Sequence, residues 1–290
     1  MWLALYLPAL PLQAFSRALI DTAPVVVFDA AGNGRRPLVV ARNRTAARLG
    51  IPLGGSLAAA TALAPELVQL HREPLREAAL LHRLAYATSV LTPNLHVSAG
   101  YGLLLDVGAS LTLLGGTAAA LDRAQQIVAG LQLRAHSVIA PTALAARWLA
   151  RAHRELVLDD RDGWVDWLDD LSLDCTDFAP ALLDELHALN LATVGDVRRL
   201  PARALQQRFG NPLSEALAQA VGSQPTGLPY WTPPNRFDAA VEFTDLAREQ
   251  SHWMPGVMQL LTDLSAYLVL HAAATPELTF AFREGRRHAT

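Results

Sequence analysis

From Leu95 to Val107 the chain reads LHVSAGYGLLLDV, an apolar run interrupted by Gly100 and Gly102 and preceded by Pro93 and Asn94. Val97, Tyr101 and Leu103 to Leu105 have strand character, and the glycines mark a tight bend, so the pattern predicts a hairpin. Helical periodicity precedes it from Leu75 to Leu91 and follows it from Gly116 to Leu133. A short apolar run, Ala135 to Ala140, then leads into another helical stretch from Thr142 to Arg151. This alternation predicts an α/β layer with helices on one face.

The rest of the chain adds elements at both ends. WLALY, Trp2 to Tyr6, predicts a buried first strand stopped by Pro8 and Pro11, with a short helix from Gln13 to Leu19. Val25 to Phe28 and Leu38 to Ala41 predict two strands joined by the turn-rich Ala30 to Gly34. The Gly-Asn-Gly in that turn precedes no helix start, so it reads as a hairpin turn rather than a phosphate cradle. Residues 178–222 look all-helical, broken at Pro201 and at Gly210-Asn211-Pro212. Gln224 to Asn235 is Pro-rich and reads as a linker. Beyond it, Ala239 to Phe243, Ser251 to Leu270 and Glu277 to Phe282 read as strand, helix and strand.

Composition narrows the chemistry. With 290 residues, 51% of them hydrophobic, the chain can bury a core in one large or two to three small domains. Every basic residue is Arg, and the net charge of -3 means that contact with nucleic acid must rest on local Arg clusters. Arg42, Arg44 and Arg48 form one such cluster, within one or two expected helical turns. The single Cys175 excludes intramolecular disulfides and suits a reducing cytoplasm. No basic region precedes an apolar leader, and no apolar run is long enough to span a membrane. Asp159 to Asp177 is strongly acidic, but it lacks the Gly-centred spacing of a calcium loop. Trp164, Trp167 and Leu168 within it instead fit an amphipathic linker helix with a solvated face. The nine His show no metal-ligand spacing, and no G-x-S-x-G elbow or Walker loop occurs.

One resemblance organises these observations. Helix, LHVSAGYGLLLDV, helix and HSVIAPTALAARWLARA are similar to the palm of the Y-family, or translesion, DNA polymerases. In that family the hairpin carries S-I-D-E-A-Y-L-D-V and the later strand S-V-G-I-A-x-N-K-x-L-A-K. Leu105-Asp106-Val107 matches the end of the first, and Ile139-Ala140-Pro141 through Ala146-Arg147 matches the second. Residues 41–70 resemble the fingers segment, keeping Asn43, Gly50, Ile51, Leu63, Pro65 and Leu67, while the family's nucleotide-contacting Tyr and Arg fall on Arg44 and Ala47. LNLATVGDVRRLPARALQQRFG resembles the helix-hairpin-helix thumb, although Phe178 to Ala181 replaces its Gly-rich hairpin.

The resemblance implies an α+β multidomain, Y-family polymerase-like right hand with a truncated little-finger domain. Palm would comprise residues 1–9 and 74–158, fingers 10–73, the linker helix and thumb 159–223, a linker 224–236, and a partial little finger 237–290. That domain normally has four strands and two helices, and the chain ends before its second half, as a fragment or a truncation would.

The resemblance fails at the family's metal ligands. Anchored on Leu105-Asp106-Val107, the hairpin's Asp-Glu pair falls on Tyr101 and Gly102, and the first-strand Asp falls on Tyr6. Two-metal phosphoryl transfer needs carboxylates there, so no catalytic or metal-binding residue and no cofactor is expected. The candidates that remain are DNA or phosphate contacts: Arg42, Arg44, Arg48, Arg147, Thr193, Gly195, Arg198 and Arg199. An erased active site resembles a non-catalytic subgroup carried by bacterial mutagenesis cassettes. For a cytoplasmic protein of that kind, nucleoid-associated when engaged, the resemblance implies a scaffold in SOS-type, damage-induced synthesis. Its partners would be an error-prone replicative-type polymerase, a RecA-like accessory protein and the sliding clamp, with weak contact to primer–template DNA. Two other readings stand beside it. One is a divergent active polymerase with Asp106 recruited to bind Mg²⁺. The other is a simple DNA-binding module, whose strong salt-dependent affinity the net charge and acidic segment do not favour.

Overall fold

The computed structural model describes residues 1–15, 23–29, 36–159, 163–241 and 249–281. The predicted turn at Ala30 to Gly34 and the end of the predicted helix toward Leu19 lie outside them. Residues 1–233 form one compact unit and residues 234–290 a second.

The first unit is built on β1 (Trp2–Tyr6), which every apolar feature of its sequence drives to the centre of a sheet. It pairs antiparallel with β6, labelled here in chain order after β2 (Val25–Asp29), β3 (Leu38–Arg42), β4 (Val68–His71) and β5 (Leu95–Ser98); β6 is Gly102–Asp106. On its other side β1 pairs antiparallel with β7 (His136–Ala140), and β8 (Glu155–Val157) runs parallel beyond it. The five-stranded order is β5-β6-β1-β7-β8.

Period-two alternation divides β1 between two cores. Leu3 and Leu5, with Leu103, Leu105 and Ile139, pack against the helices Pro74–Thr88 and Thr117–Gly130. Ala4, with Leu104, Val138 and Ala140, faces the helix Ala143–Ala152 and, beyond it, the helical segment 164–220. Helices therefore cover both faces of the sheet rather than one. A five-residue strand with no exposed position needs apolar cover on both sides.

Four helices, Pro180–Ala188, Val194–Arg198, Ala202–Phe209 and Asn211–Ala220, make the expected all-helical thumb. Their Leu186, Val194, Val197, Leu205, Leu213 and Leu217 join the same apolar cluster as the palm's Trp148 and Leu149. Palm and thumb thus share a core. The acidic stretch before them is a six-residue helix, Trp164–Asp169, and a separate turn of tighter helix at Leu173–Cys175, not one linker helix. Trp164, Leu168, Leu171 and Leu173 are all buried, and seating them takes two short pieces.

In the fingers, β2 pairs antiparallel with β3 and parallel with β4, a strand the periodicity did not mark. The Arg72 guanidinium joins this sheet to the palm by pairing with Asp29 at 3.3 Å and Glu77 at 2.7 Å. The Pro-rich segment is not a free linker along its whole length. The Trp231 backbone N–H donates to the Leu95 carbonyl on edge strand β5 (2.6 Å), and its indole Nε1–H donates to His82 Nδ1 (2.9 Å). His96 Nδ1 contacts the Pro229 carbonyl at 2.8 Å, and the Trp231 ring packs edge-on against Tyr86.

In the second unit, the helix Gln250–Leu270 is present, with Tyr267 buried and its ring 5.5 Å from Phe237. The strands expected on either side are not formed at 239–241 or 277–281, which find no pairing neighbour among the described residues. No described helix is long and apolar enough to cross a membrane.

Candidate functional site

The ends of β1 and β6 meet where the sequence pattern placed the site. Tyr6 lies opposite Gly102 in the ladder, and the Leu7 N–H donates to the Tyr101 carbonyl at 2.9 Å. This brings the Tyr6 and Tyr101 rings to 4.8 Å between centroids, with His136 edge-on to Tyr6 at 5.6 Å. Tyr101 is fully buried, and its hydroxyl donates a 2.6 Å hydrogen bond to the Arg147 carbonyl. Burial pushes the phenol well above its ordinary pKa, against the opposing pull of Arg147 and Arg151, so the group stays a neutral donor.

Two arginines one helical turn apart close over this pair. The Arg147 and Arg151 guanidinium carbons lie 4.8 and 5.4 Å from the Tyr101 ring centroid, within cation–π range. Asp177, from the start of the thumb, pairs with both. Arg147 Nε sits 2.7 Å from its Oδ2, close enough for an ion pair but without hydrogen-bond alignment, and Arg151 Nη2 contacts Oδ1 at 2.5 Å. The Trp148 indole N–H donates to the same carboxylate at 3.1 Å. Arg147 also donates to Ser98 Oγ at 2.7 Å, and Arg151 to the carbonyls of Cys175 and Thr176. Of the charged residues in this cluster, sequence alone marks only Arg147 as a candidate contact. Arg151, Trp148 and Asp177 went unmarked as a group, and the available signal was the Arg-Trp-x-x-Arg spacing on one helix face.

Gly102 is held by sterics. Its φ is +152°, and a Cβ there would stand 1.9 Å from the Leu5 carbonyl oxygen. No side chain fits at this position unless β1 moves.

The four thumb candidates are brought together, and each is already used. Thr193 Oγ1 accepts from the Asp196 N–H, while Asp196 Oδ2 accepts from the Ala192 and Thr193 N–H groups at 3.1 and 3.0 Å, a complete capping box. Those backbone donors hold the Asp196 carboxyl below its usual pKa. Gly195 is buried against Asp169, where a Cβ would come within 2.9 Å of the Asp169 carbonyl oxygen. Arg198 pairs with Asp169, and Arg199 with Asp196 at 3.4 Å.

The fingers candidates differ. Arg42 ends a strand instead of lying on a helix with the others, because Asn43 starts the helix Arg44–Arg48 immediately after it. The buried Asn43 carboxamide oxygen accepts from Ala46 N–H (2.8 Å) and Val25 N–H (3.1 Å), capping the helix and fastening it to the sheet. Arg44 and Arg48 are exposed, and among the described residues neither they nor Arg42 take part in an ion pair.

The chain superposes on DinB from Sulfolobus solfataricus with a TM-score of 0.62 at 17% identity, over 79% of this chain and 70% of that one. An insertion ternary complex of Dbh DNA polymerase gives 0.65 at 17% identity, over 78% and 69%. A Dbh–Dpo4 Y-family polymerase chimera gives 0.64 at 16% identity, over 92% and 79%. In sequence, 185 residues are 30% identical to ImuB from two strains of Caulobacter vibrioides. The chain has the fold of the Y-family polymerases and is similar in sequence to ImuB. The match to ImuB covers 64% of this chain and spans 40% of the length of those relatives. No family model matches the chain.

Y-family chemistry calls for divalent metal, and the residues at these strand ends do not suit it. Two phenols replace carboxylates, the third position admits no side chain, and two guanidinium groups bring positive charge over Tyr101. Asp106 is at the wrong end of the sheet. It faces Trp2, four residues along β6 from Gly102, or roughly 13 Å at strand rise. Its Oδ1 accepts from the Gly108 N–H at 3.2 Å, which shapes the turn leaving the strand.

Proposed function

We propose that this polymerase-like chain is non-catalytic and acts as a scaffold in damage-induced, error-prone translesion synthesis and DNA repair. One observation carries the reading. Where a Y-family enzyme of this fold would gather carboxylates, the Tyr6 and Tyr101 rings pack at a tilt, and Arg147 and Arg151, paired with Asp177, close over Tyr101. The replacement is a packed, hydrogen-bonded cluster rather than a gap. It fixes the thumb to the palm and leaves no anionic cradle for a metal–triphosphate complex.

In this reading the right-hand fold is kept as a shape that other proteins bind. The partners are an error-prone replicative-type polymerase, a RecA-like accessory protein and the sliding clamp, met at DNA in the cytoplasm. Primer extension tests the proposal, with all four nucleotides and Mg²⁺ or Mn²⁺, beside an active Y-family enzyme. No extension is expected from protein that circular dichroism shows to be folded. Extension lost in Asp106→Ala would make the chain a divergent polymerase, and extension that survives this change would place a metal site elsewhere. Either result overturns the proposal.

A further inference from the structure

The five-stranded sheet ends in two edge strands, and the fold treats them differently. β5 is partly covered by the segment around Trp231, whose backbone N–H donates to the Leu95 carbonyl. β8 is a bare edge. Its inward groups are fixed by its register against β7: the Arg154 carbonyl accepts from the Ser137 N–H, and the Leu158 N–H donates to the Ile139 carbonyl, with Leu156 between them on the same side. Alternate residues of a parallel ladder bond the same neighbour, so the N–H and C=O groups of Glu155 and Val157 point away from the sheet. None of them has a hydrogen-bond partner among the described residues. An extended backbone satisfies such groups as a neighbouring strand would.

So short a strand cannot hold a partner by its backbone alone, and the side chains around it select the partner's chemistry. Leu156 lies opposite Val138, on the face that packs against the helix Trp164–Asp169, and Val157 lies opposite Ile139 on the other face. On and just after that helix, Asp166, Trp167 and Asp170 are exposed, while Trp164, Leu168 and Leu171 are buried. Trp167 is 44% exposed, and its ring stands 5.5 Å from that of His153, just before β8. Residues 164–190 contain no Arg or Lys. Asp169 and Asp177 are paired with arginines of the thumb and palm, but Asp166 and Asp170 join no ion pair among the described residues. Arg154, exposed at the start of β8, is the opposing charge. Carboxylates beside an open indole face favour a guanidinium or ammonium group. We propose that β8 is a docking edge for an extended basic segment of a partner protein. The segment adds as a further strand, with Arg or Lys toward Asp166, Trp167 and Asp170 and apolar side chains beside Val157. A second copy of this chain fits less well, because pairing β8 with β8 brings Asp166 and Asp170 of both copies to one face of the joined sheet.

The test uses the full chain and a labelled short peptide of alternating Arg and Val, with a Glu and Val peptide as control. Fluorescence anisotropy across salt reads binding, and amide exchange by NMR reads where the peptide lies. Val157→Pro removes an outward donor and sets a ring against the incoming strand, while Leu156 keeps its bonds to β7, because an edge tolerates proline where the N–H faces solvent. Asp166→Asn with Asp170→Asn removes the charges and leaves the edge intact. Thermal unfolding checks that both variants fold; should Val157→Pro fail to fold, exchange in the wild type decides the proposal by itself. The Arg–Val peptide is expected to bind and to slow exchange at Glu155 and Val157. Val157→Pro should weaken binding about tenfold or more, and the double variant should weaken it and flatten its salt dependence. No binding of the Arg–Val peptide, equal binding of the Glu–Val control, unchanged affinity in Val157→Pro, or binding without protection at Glu155 and Val157 would each overturn the proposal. Self-association in sedimentation that Val157→Pro abolishes would also overturn it, by giving the edge to a second copy. Primer extension does not bear on this edge, so failure of the scaffold reading is not mistaken for failure here.

Discussion

The Tyr101 hydroxyl donates to the Arg147 carbonyl at 2.6 Å while the guanidinium of the same arginine lies over the Tyr101 ring. One residue thus holds the phenol at both its polar tip and its π face. The phenol is the hub of the palm–thumb junction, since Arg147 and Arg151 reach from it to Asp177. Three predictions follow from this cluster, and a fourth from the strap at Trp231.

Tyr101→Phe removes one buried hydrogen bond and leaves the Arg147 carbonyl without that donor, a loss of about 1 kcal/mol at neutral pH. The variant also changes the response to alkali. The folded protein holds the Tyr101 phenol above its unfolded pKa of about 10, so the folded state keeps a proton that the unfolded chain releases. The stability this contributes is fully present below about pH 10 and is lost as pH rises toward the folded value. Urea unfolding from pH 8 upward is expected to show a flatter alkaline decline for Tyr101→Phe. Parallel declines would remove Tyr101 from the account.

Asp177→Ala strips the ion-pair partner from two arginines and the acceptor from the Trp148 indole. Truncating one partner of a fully buried pair costs about 3–5 kcal/mol. Asp177 is 31% exposed, so water compensates part of this, and about 2 kcal/mol is expected. Hydrogen exchange should quicken at residues 173–186 as well as in the helix Ala143–Ala152, because the contact joins both. A loss confined to one of the two would mean that Asp177 does not bind thumb to palm.

Restoring the family's carboxylates should not restore a metal site. Tyr6→Asp with Tyr101→Asp places two anions beside Arg147 and Arg151, which neutralise them. Gly102→Glu puts a Cβ into the Leu5 carbonyl and is expected to cost about 4 kcal/mol or more, enough to leave the protein insoluble. Calorimetry with Mn²⁺ on the double variant, and soluble yield of Gly102→Glu, check these outcomes. Tight Mn²⁺ binding or a well-folded Gly102→Glu protein would show that β1 yields more readily than its central place in the sheet implies.

How much of this was legible beforehand depended on how local each signal was. WLALY, LLLDV and HSVIA announce their strands because a short apolar run has few other solutions, and anchoring on Leu105-Asp106-Val107 located Tyr101 and Gly102. That both faces of the sheet are covered was not visible, since nothing local tells which face the helix Ala143–Ala152 takes, and the helices 164–220 that back it come later in the chain. Asp177 was hidden in an acidic stretch that looks solvated, yet Asp169 and Asp177 each neutralise an arginine far along the chain. The thumb's Thr193, Gly195, Arg198 and Arg199 were found as a group, but nothing local tells a phosphate contact from a helix cap. In the structure Asp196 accepts from the Ala192 and Thr193 amides, a contact that only the folded geometry reveals.

Trp231 illustrates the same limit and carries the last prediction. Composition marks Gln224 to Asn235 as linker, but its anchor lies on His82, 149 positions away. The indole donates to His82, the backbone N–H donates to edge strand β5, and Tyr86 packs against the ring. An edge strand with free backbone groups invites pairing with other chains, and this strap covers part of it. Trp231→Ala removes a half-buried aromatic and two of its three anchors, for a loss of about 2 kcal/mol. Released residues 228–233 should become sensitive to thermolysin, and uncovered β5 should promote aggregation at high concentration. Trp231→Phe keeps the packing on Tyr86 and loses only the indole bond to His82, so it should fall between. If both variants resist thermolysin as well as the wild type does, the segment is held by its prolines and the shared core, and the Trp231 contacts are incidental to it.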